Sequence, residues 1–331
     1  MATMNNTPLA PLSSAPTVAV LGASGIGRNH ARWFWKHGCH VHSFLGSSPK
    51  SVARTTETLR SVFPFEGRGY DDLSQLLAAE RPEIVCISTP PAQHKAQIRA
   101  ALEAGAHVLC EKPLLFDAHQ NSKYLQERGA ELLELARSKG LLFGTQMQYA
   151  AVVDDLRAAA GHEGPVRRFG MEMETKNIKD NREGAQIWLD LSPHPLSVLQ
   201  VLAGPEAELE ATSIRCHIEK NQTHAEFRLK NKRDETIEAS ILVRFDPQAN
   251  PPRRCFRFDD QTVELVGHRE PDGEFRALLT SSKGKQTLRD DCVDTLIGDF
   301  LASARGQKKL LVTGAMGLQN VAWQHAILRA A

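Results

Sequence analysis

The stretch TVAVLGASGIGR, Thr17 to Arg28, decides the fold of the first half of this chain. Its apolar run predicts a buried strand, and the amphipathic segment after the glycines predicts a helix. A helix that begins at such a turn presents unpaired N–H groups and the positive end of its dipole, which suit a pyrophosphate. The stretch therefore predicts a dinucleotide site, although a ligand-free glycine turn would share this pattern. The candidate residues are Gly22, Ser24, Gly25, Ile26 and Gly27.

With 331 residues, 41% hydrophobic content and a net charge of +1, the chain is typical of a globular protein of two domains. Near-neutral charge argues against a nucleic acid as partner, and no apolar run reaches the roughly 20 residues that span a membrane. The six cysteines are scattered without a C-x-x-C pair, which disfavours disulfides or zinc and predicts a cytoplasmic location. We expect residues 1–15 to form a disordered tail.

The end of the second predicted strand, His40–Leu45, bears on the choice of dinucleotide. Folds of this kind usually place a carboxylate there to bind the ribose 2′-hydroxyl. This chain carries Ser47, Ser48 and Lys50 instead, which suit a 2′-phosphate better, so we expect NADP rather than NAD at these residues. An alternative that can hold at the same time is a plain turn, in which Ser48 caps the next helix and Pro49 begins it.

Strand and helix patterns alternate through the rest of the first half. The segments Glu83–Ser88 and His107–Cys110 predict further buried strands. This alternation predicts a doubly wound parallel sheet, in which ligands bind at the carboxyl ends of the strands. The polar residues that follow these strands, Thr89 and Lys112, belong to that edge, as do Ser24 and Ser47. We place this dinucleotide-binding domain at residues 16–160.

The second domain is expected at residues 161–331. Short alternating segments follow one another from about residue 209 to residue 285 without crossover helices, which predicts a large, mostly antiparallel open sheet. Two amphipathic helical patterns, residues 291–304 and 314–330, close the chain and are candidates to pack back on the first domain. In the first domain, Gly129 is a candidate interruption of a long helical pattern at residues 117–139, and a further helix is expected at residues 149–160.

Asp190 and His194 form the candidate acid–base pair of the second half. Ser192 is a candidate N-cap and Pro193 a candidate first residue of a new helix, so His194 would lie where the helix dipole disfavours an imidazolium. A neutral imidazole can accept a proton from a substrate hydroxyl, while Asp190 orients it or holds the substrate. The alternative is a packing histidine beside a surface acid. We expect no metal, because a third ligand at a recognisable spacing is missing.

The chain resembles the Gfo/Idh/MocA oxidoreductases, the family of glucose–fructose oxidoreductase and inositol dehydrogenase, from Thr17 to its last helix, and two segments carry the most specific likeness. One is ISTPPAQHKAQIRAALEAGAHVLCEKPL, residues 87–114, and the other is the opening G-x-x-G-x-G-x-x-H pattern that ends at His30. The resemblance implies an N-terminal Rossmann domain and a C-terminal α/β domain with a large open sheet. It implies hydride transfer between NADP or NAD and a hydroxyl or carbonyl of a sugar, cyclitol or related small molecule.

The resemblance also implies roles for single residues. Lys112 would lie beside the nicotinamide and the reacting oxygen, where a lysine can stabilise oxyanion charge or pass a proton. His194 would be the acid or base and Asp190 its partner. Further cofactor contacts would come from Thr89, Pro90, His94 and Glu111. Residues expected at the substrate from their position alone are Gln148, Tyr149, Lys176, Asn181, Arg182 and Trp188.

The resemblance further implies a homo-oligomer, a dimer or tetramer that forms through the C-terminal sheet. The chain departs from the family pattern at Ser192, which replaces a glycine, and at Ser197, where an Asp is often found. These departures leave open an alternative function, a non-catalytic protein that senses a dinucleotide or sugar. The intact Lys112 and His194 count against that alternative, because a pure binder needs no proton-transfer groups.

Overall fold

A computed structural model describes residues 8–117, 119–176, 183–271 and 273–331 of the chain. The chain divides into two compact units. The first contains the residues up to Gln146 together with Leu296–Leu318, and the second contains Met147–Thr295 together with Gln319–Ala331.

The first unit is built on a six-stranded parallel sheet with the strand order β3-β2-β1-β4-β5-β6. The strands are β1 (Thr17–Leu21), β2 (His40–Leu45), β3 (Arg68–Tyr70), β4 (Ile84–Ile87), β5 (His107–Glu111) and β6 (Phe143–Gln146). The central strand β4 is fully buried, as its unbroken apolar run predicts. The order reverses at β1, so the carboxyl ends of β1 and β4 lie beside each other at a switch point of the kind that binds ligands.

Five helices connect these strands: α1 (Ile26–Lys36), α2 (Pro49–Arg60), α3 (Leu73–Glu80), α4 (His94–Glu103) and α5 (Ser122–Ser138). The Ser48 hydroxyl accepts a hydrogen bond from the Ser51 N–H, with Pro49 first in α2, as the sequence predicts. The helix α5 begins later than expected and runs through Gly129 without a break. A Cβ at Gly129 would lie 2.2 Å from Leu318, so packing explains the glycine.

The boundary of the first unit falls at Gln146 rather than at the expected residue 160. The segment after Gln146 forms a 3-10 turn and then helix α6 (Val153–Ala160), whose apolar side chains belong to the core of the second unit. Residues 8–15 also differ from the expected loose tail, because Ala10 N–H donates to Gly140 O and Ser13 bonds the Glu83 carboxylate. Residues 1–7 of that tail lie outside the described residues.

The second unit contains a nine-stranded sheet with the order β15-β14-β13-β12-β7-β11-β10-β8, and β9 also pairs with β10. The strands are β7 (Arg168–Thr175), β8 (Glu208–Leu209), β9 (Arg215–Ile218), β10 (Gln222–Lys230), β11 (Thr236–Phe245), β12 (Arg254–Phe258), β13 (Gln261–Arg269), β14 (Phe275–Ser281) and β15 (Gln286–Asp290). Every pairing is antiparallel except that of β7 with β11. The two sheets confirm the fold class predicted from the sequence.

The remaining helices are α7 (Gly184–Leu191), α8 (Pro193–Ala203), α9 (Cys292–Ala304) and α10 (Gly314–Leu328). Alternate residues of β10 and β11 are buried, which gives the sheet one apolar face. The core of the second unit forms on that face, where Trp188 of α7 and Phe256 of β12 are fully buried. Among the described residues, no helix combines the length and the apolar character that a membrane crossing requires.

Candidate active site

The glycine turn after β1 has no room for side chains where it passes β4. A Cβ at Gly27 would lie 2.2 Å from Gly22 O and 3.0 Å from the Ser88 Cβ, and one at Gly22 would lie 2.9 Å from Ser88 O. Gly22 also has a φ of 81°, in the left-handed region that favours glycine. These two glycines let helix α1 begin directly against the carboxyl end of the sheet.

The outer side of the same turn is open. A Cβ at Gly25 would meet nothing within 4 Å, and Ser24 is exposed. Ile26 is 44% exposed although it is apolar, and no side chain among the described residues caps the N-terminus of α1. Unpaired N–H groups, open space and an exposed apolar side chain fit a dinucleotide, whose pyrophosphate and ring faces need these partners.

The end of β2 presents small and basic residues, as expected. Ser47 and Lys50 are exposed, whereas the Ser48 hydroxyl is used as the cap of α2. In the part of the chain that the structure describes, this turn carries no carboxylate between Leu45 and Arg54. The N-cap alternative for Ser48 therefore holds, and Ser47 and Lys50 have side chains open to solvent.

His94 differs from its expected place at the cofactor. The side chain is fully buried, and its Nδ1 and Nε2 lie 3.0 Å from Pro113 O and 2.9 Å from Thr89 O. Burial lowers the pKa of this imidazole, against the opposing effect of the carbonyl contacts. His94 thus joins the segment after β4 to the segment after β5 from inside the unit, while Thr89 and Pro90 remain at the edge.

A second buried histidine connects the glycine turn to Lys112. The His30 Nδ1 lies 3.0 Å from the Ser88 Oγ and 3.4 Å from the Cys86 Sγ, and its Nε2 lies 3.1 Å from a Glu111 carboxylate oxygen. The other oxygen of Glu111 accepts a hydrogen bond of 3.1 Å from the Lys112 N–H. Burial on its own would lower the pKa of His30, but the Cys86 and Glu111 side chains raise it to about 10. The His30 ring therefore contacts one oxygen of Glu111, while the other oxygen holds the backbone N–H of Lys112.

Gln146 was not predicted as a site residue, although it lies at the same edge. It ends β6 directly beside Glu111 and is only 3% exposed. Neither its Nε2 nor its Oε1 has a hydrogen-bond partner among the described residues. A buried unpaired polar group costs about 1–3 kcal/mol, so such a side chain needs an explanation. No periodicity or motif could have identified it, because glutamine at a strand end is common.

The second unit holds Asp190 and His194 at the junction of two helices. Asp190 is the penultimate residue of α7 and is partly exposed, and His194 is the second residue of α8 and is 8% exposed. The new helix begins at Pro193, as predicted, so His194 lies at a helix N-terminus. The ring of Tyr149 packs 5.1 Å from the His194 ring, and burial raises the pKa of Tyr149 to about 12.

Helix α10 holds this junction through two amide side chains that the sequence did not reveal. The Gln324 Nε2 donates to Leu189 O at 3.1 Å and to the Ser192 Oγ at 2.9 Å. The Asn320 Nδ2 donates to Pro193 O at 3.1 Å. Ser192 makes no side-chain cap, contrary to the expectation, because its hydroxyl is bound by Gln324. The serine that departs from the family's glycine therefore has a specific partner in this chain.

Two of the residues expected at the substrate are core residues instead. Trp188 is fully buried, and its Nε1 donates to Gln324 O at 3.3 Å. Tyr149 is 1% exposed and packs edge-on against Phe256. The predicted residues Asn181 and Arg182 lie outside the described residues.

Comparisons with known proteins agree with this architecture. Residues 17–146 match the family model GFO_IDH_MocA, described as an oxidoreductase family with an NAD-binding Rossmann fold. This match confirms the predicted nicotinamide dinucleotide domain, while the preference for NADP over NAD stays a prediction. A curated relative, dTDP-3,4-didehydro-2,6-dideoxy-alpha-D-glucose 3-reductase of Streptomyces violaceoruber, is 30% identical over 184 residues, which cover 51% of each chain.

The first curated relatives are matched over about half of their length or less. Two solved structures share the fold over nearly the whole chain. UDP-N-acetylglucosamine 3-dehydrogenase GnnA from Acidithiobacillus ferrooxidans has a TM-score of 0.70 at 18% identity, covering 96% of this chain and 98% of that one. The WlbA dehydrogenase from Bordetella pertussis, solved with NADH and UDP-GlcNAcA, has a TM-score of 0.70 at 15% identity, covering 97% of each chain.

Proposed function

We propose that this member of the Gfo/Idh/MocA oxidoreductase family transfers a hydride between a nicotinamide dinucleotide and a hydroxyl or carbonyl carbon of a sugar, cyclitol or related small molecule. The observation that carries the proposal is the connection from the nucleotide turn to Lys112. His30 of α1 contacts Glu111, and Glu111 accepts from the Lys112 N–H. The named activities of the relatives, which act on nucleotide sugars, support the substrate class.

The protein's own residues take these roles in the proposal. The dinucleotide, when bound, accepts or supplies the hydride. The Lys112 ammonium stabilises negative charge that develops on the reacting oxygen, or passes a proton to it. His194 takes the proton from a substrate hydroxyl in the oxidising direction and returns it in the reducing direction. Asp190 orients His194 or holds a substrate hydroxyl.

Turnover of two alanine variants tests these roles. Wild-type protein is incubated with NADPH or NADP and a panel of sugars, cyclitols and carbonyl compounds, and the absorbance of the reduced nicotinamide is followed. We expect Lys112→Ala and His194→Ala each to lose a factor of about 10²–10⁴ in kcat, with the affinity for NADPH retained. The exposed residues Lys283 and His217 supply matched controls, because their alanine variants should keep wild-type rates.

Wild-type rates in both Lys112→Ala and His194→Ala would exclude the assignment. Binding of the dinucleotide and a sugar by the wild type without any turnover would favour the non-catalytic sensor instead.

We also propose that the dinucleotide is NADP. The exposed Ser47 and Lys50 after β2, and the absence of an acid among the described residues of that turn, support a 2′-phosphate there. Fluorescence titration of Lys50→Glu should show an affinity for NADPH at least tenfold lower, with the affinity for NADH unchanged. An equal loss for both dinucleotides, or a wild type that prefers NADH, would contradict this preference.

We further propose that the protein forms a homo-oligomer through the C-terminal sheet. Val266, Leu278 and Leu288 are cross-strand neighbours on the face opposite the core, and Leu288 is 44% exposed. An apolar row on an open sheet face supports self-association. Light scattering should show an oligomer for the wild type and a monomer for Leu278→Lys, whereas Leu311→Lys, on an exposed leucine of the first unit, should not change the mass. A monomeric wild type would refute this proposal.

A further inference from the structure

Gln146 is the one buried side chain at the carboxyl edge of the parallel sheet whose amide nitrogen and oxygen are both without partners among the described residues. Parallel register pairs it with Glu111, so the two side chains project from the same face of the sheet. On that face Glu111 is already engaged by His30 and by the Lys112 N–H. The Gln146 amide therefore lies one strand beyond the residue that precedes Lys112.

The other buried amide at this edge shows that the chain can satisfy such groups when it needs them only for structure. Gln97 is 5% exposed, and its oxygen accepts from the Thr89 hydroxyl while its nitrogen donates to the Gln93 Oε1 at 3.1 Å. Buried side-chain amides in native proteins are almost always paired in this way. A pair of atoms left unsatisfied at a ligand-binding edge indicates a partner from outside the chain.

The order of strands separates this position from the dinucleotide. The glycine turn follows β1, Ser47 and Lys50 follow β2 on one side, and β4, β5 and β6 follow in that order on the other side. Neighbouring strands lie about 4.8 Å apart, so β6 lies roughly 14 Å across the sheet from β1. Lys112 follows β5, and Gln146 lies on the far side of it from the pyrophosphate turn. This position suits the molecule that exchanges hydride rather than the nucleotide half of the cofactor.

We propose that Gln146 is a specificity residue that binds two neighbouring hydroxyl groups of the substrate, one through its oxygen and one through its nitrogen. The inference rests on the proposed function and narrows its substrate class to polyols and sugars with adjacent hydroxyls. A hydroxyl both donates and accepts, so a vicinal pair satisfies both amide atoms. An isolated carbonyl or a single alcohol would leave one amide atom unpaired.

The first test measures the melting temperature of the free protein, which needs no substrate. Gln146→Met keeps an unbranched side chain of similar length but removes both unpaired atoms, so the melting temperature should stay the same or rise. Gln97→Met is the matched control and should lower it, because paired partners lose their hydrogen bonds. A fall in Gln146→Met as large as that in Gln97→Met would show that the amide is satisfied inside the protein and would overturn the proposal.

The second test measures substrate recognition with myo-inositol, D-glucose, D-xylose and UDP-N-acetylglucosamine as probes. For any probe that the wild type oxidises, Gln146→Met should raise KM at least tenfold, while the affinity for NADPH stays within twofold. An unchanged KM, or a loss of NADPH affinity instead, would overturn the assignment to the substrate.

Thermal shift separates a failure of this inference from a failure of the proposed function. If the wild type oxidises none of the probes and also turns over none of the panel of sugars, cyclitols and carbonyl compounds with NADPH or NADP, the proposed function fails. Stabilisation of the wild type by a saturating probe, lost in Gln146→Met and kept in Gln97→Met, would still support polyol binding at Gln146. If no probe is oxidised and none raises the melting temperature of the wild type, the inference is overturned as well.

Discussion

The substitution Gly27→Ala puts the close approach of α1 to the sheet to a direct test. The new Cβ would lie 2.2 Å from Gly22 O, and this oxygen belongs to backbone that cannot rotate away. Either the helix or the turn must therefore move by about 1 Å. We expect this change to lower both the stability of the first unit and its affinity for the dinucleotide.

Two opposing terms decide the size of the effect. Overpacking against backbone costs about 3 kcal/mol, at the upper end of the usual range. Alanine is better than glycine in a helix by about 1 kcal/mol, which offsets part of that cost. The net loss of about 2 kcal/mol should lower the melting temperature by roughly 4–8 °C, at 2–4 °C per kcal/mol for a unit of this size.

The matched control is Gly267→Ala on β13. A Cβ there would meet nothing within 4 Å, so its melting temperature should stay within about 1 °C of the wild type. Calorimetry supplies the melting temperatures, and fluorescence titration with NADPH should show affinity for Gly27→Ala at least tenfold lower. If Gly27→Ala has the melting temperature of the wild type and binds NADPH equally well, the fold does not require the close approach of α1 to the glycine turn.

Three further outcomes are expected from urea unfolding. The pKa of His30 is raised to about 10 from the ordinary 6.5, so the protonated ring contributes its full stability below pH 6.5 and loses it as the pH rises towards 10. The difference in unfolding free energy between the wild type and His30→Leu should therefore narrow over that range. A difference that stays constant with pH would contradict an imidazolium at this position. Gln324→Leu should lower the free energy of unfolding by about 2–4 kcal/mol, because it leaves the part-buried Leu189 carbonyl and the buried Ser192 hydroxyl without their donor. A kinetic assay should also show a lower kcat. A variant with wild-type stability would show that these two hydrogen bonds of Gln324 do not stabilise the protein. Burial opposes ionisation of Asp259, but its histidine partner and two backbone N–H donors lower its pKa below 3.8. Asp259→Asn should therefore lower the free energy of unfolding by about 1.5 kcal/mol at neutral pH, and the two proteins should become equally stable as the pH falls through that lowered pKa. The neighbouring variant Asp260→Asn should have the stability of the wild type at every pH.

Local chemistry explains which elements of both units could be predicted from the sequence. The strand at Thr17–Leu21, the start of α2 at Ser48 and Pro49, and the new helix at Pro193 depend on residues within a few positions of each other. Hydrophobic periodicity and capping report such short-range preferences directly. The parallel and antiparallel character of the two sheets followed from whether helices separate the strands.

Long-range pairing accounts for what the sequence could not reveal. The amphipathic pattern at residues 149–160 identifies a helix but not the sheet that it covers, so the boundary was placed too late. Ser192 resembled an N-cap locally, yet its hydroxyl is bound by Gln324 from 132 positions away. His94 belonged to a cofactor motif, yet both ring nitrogens face carbonyls inside the unit. Which polar atoms are satisfied depends on the assembled fold, as Gln146 illustrates.

The edge strand β6 has a consequence for synthesis of the protein on the ribosome. Its Thr145 N–H donates to Val312 O, and Gly144 forms a bridge with Thr313, so residues made much later cover this edge. At 5–20 residues per second, roughly 8–33 s separate the emergence of β6 from that of its cover. During that interval a nascent chain exposes an open strand of the kind that recruits other chains. Chaperone dependence should therefore be greatest for nascent chains that end between residues 146 and 318.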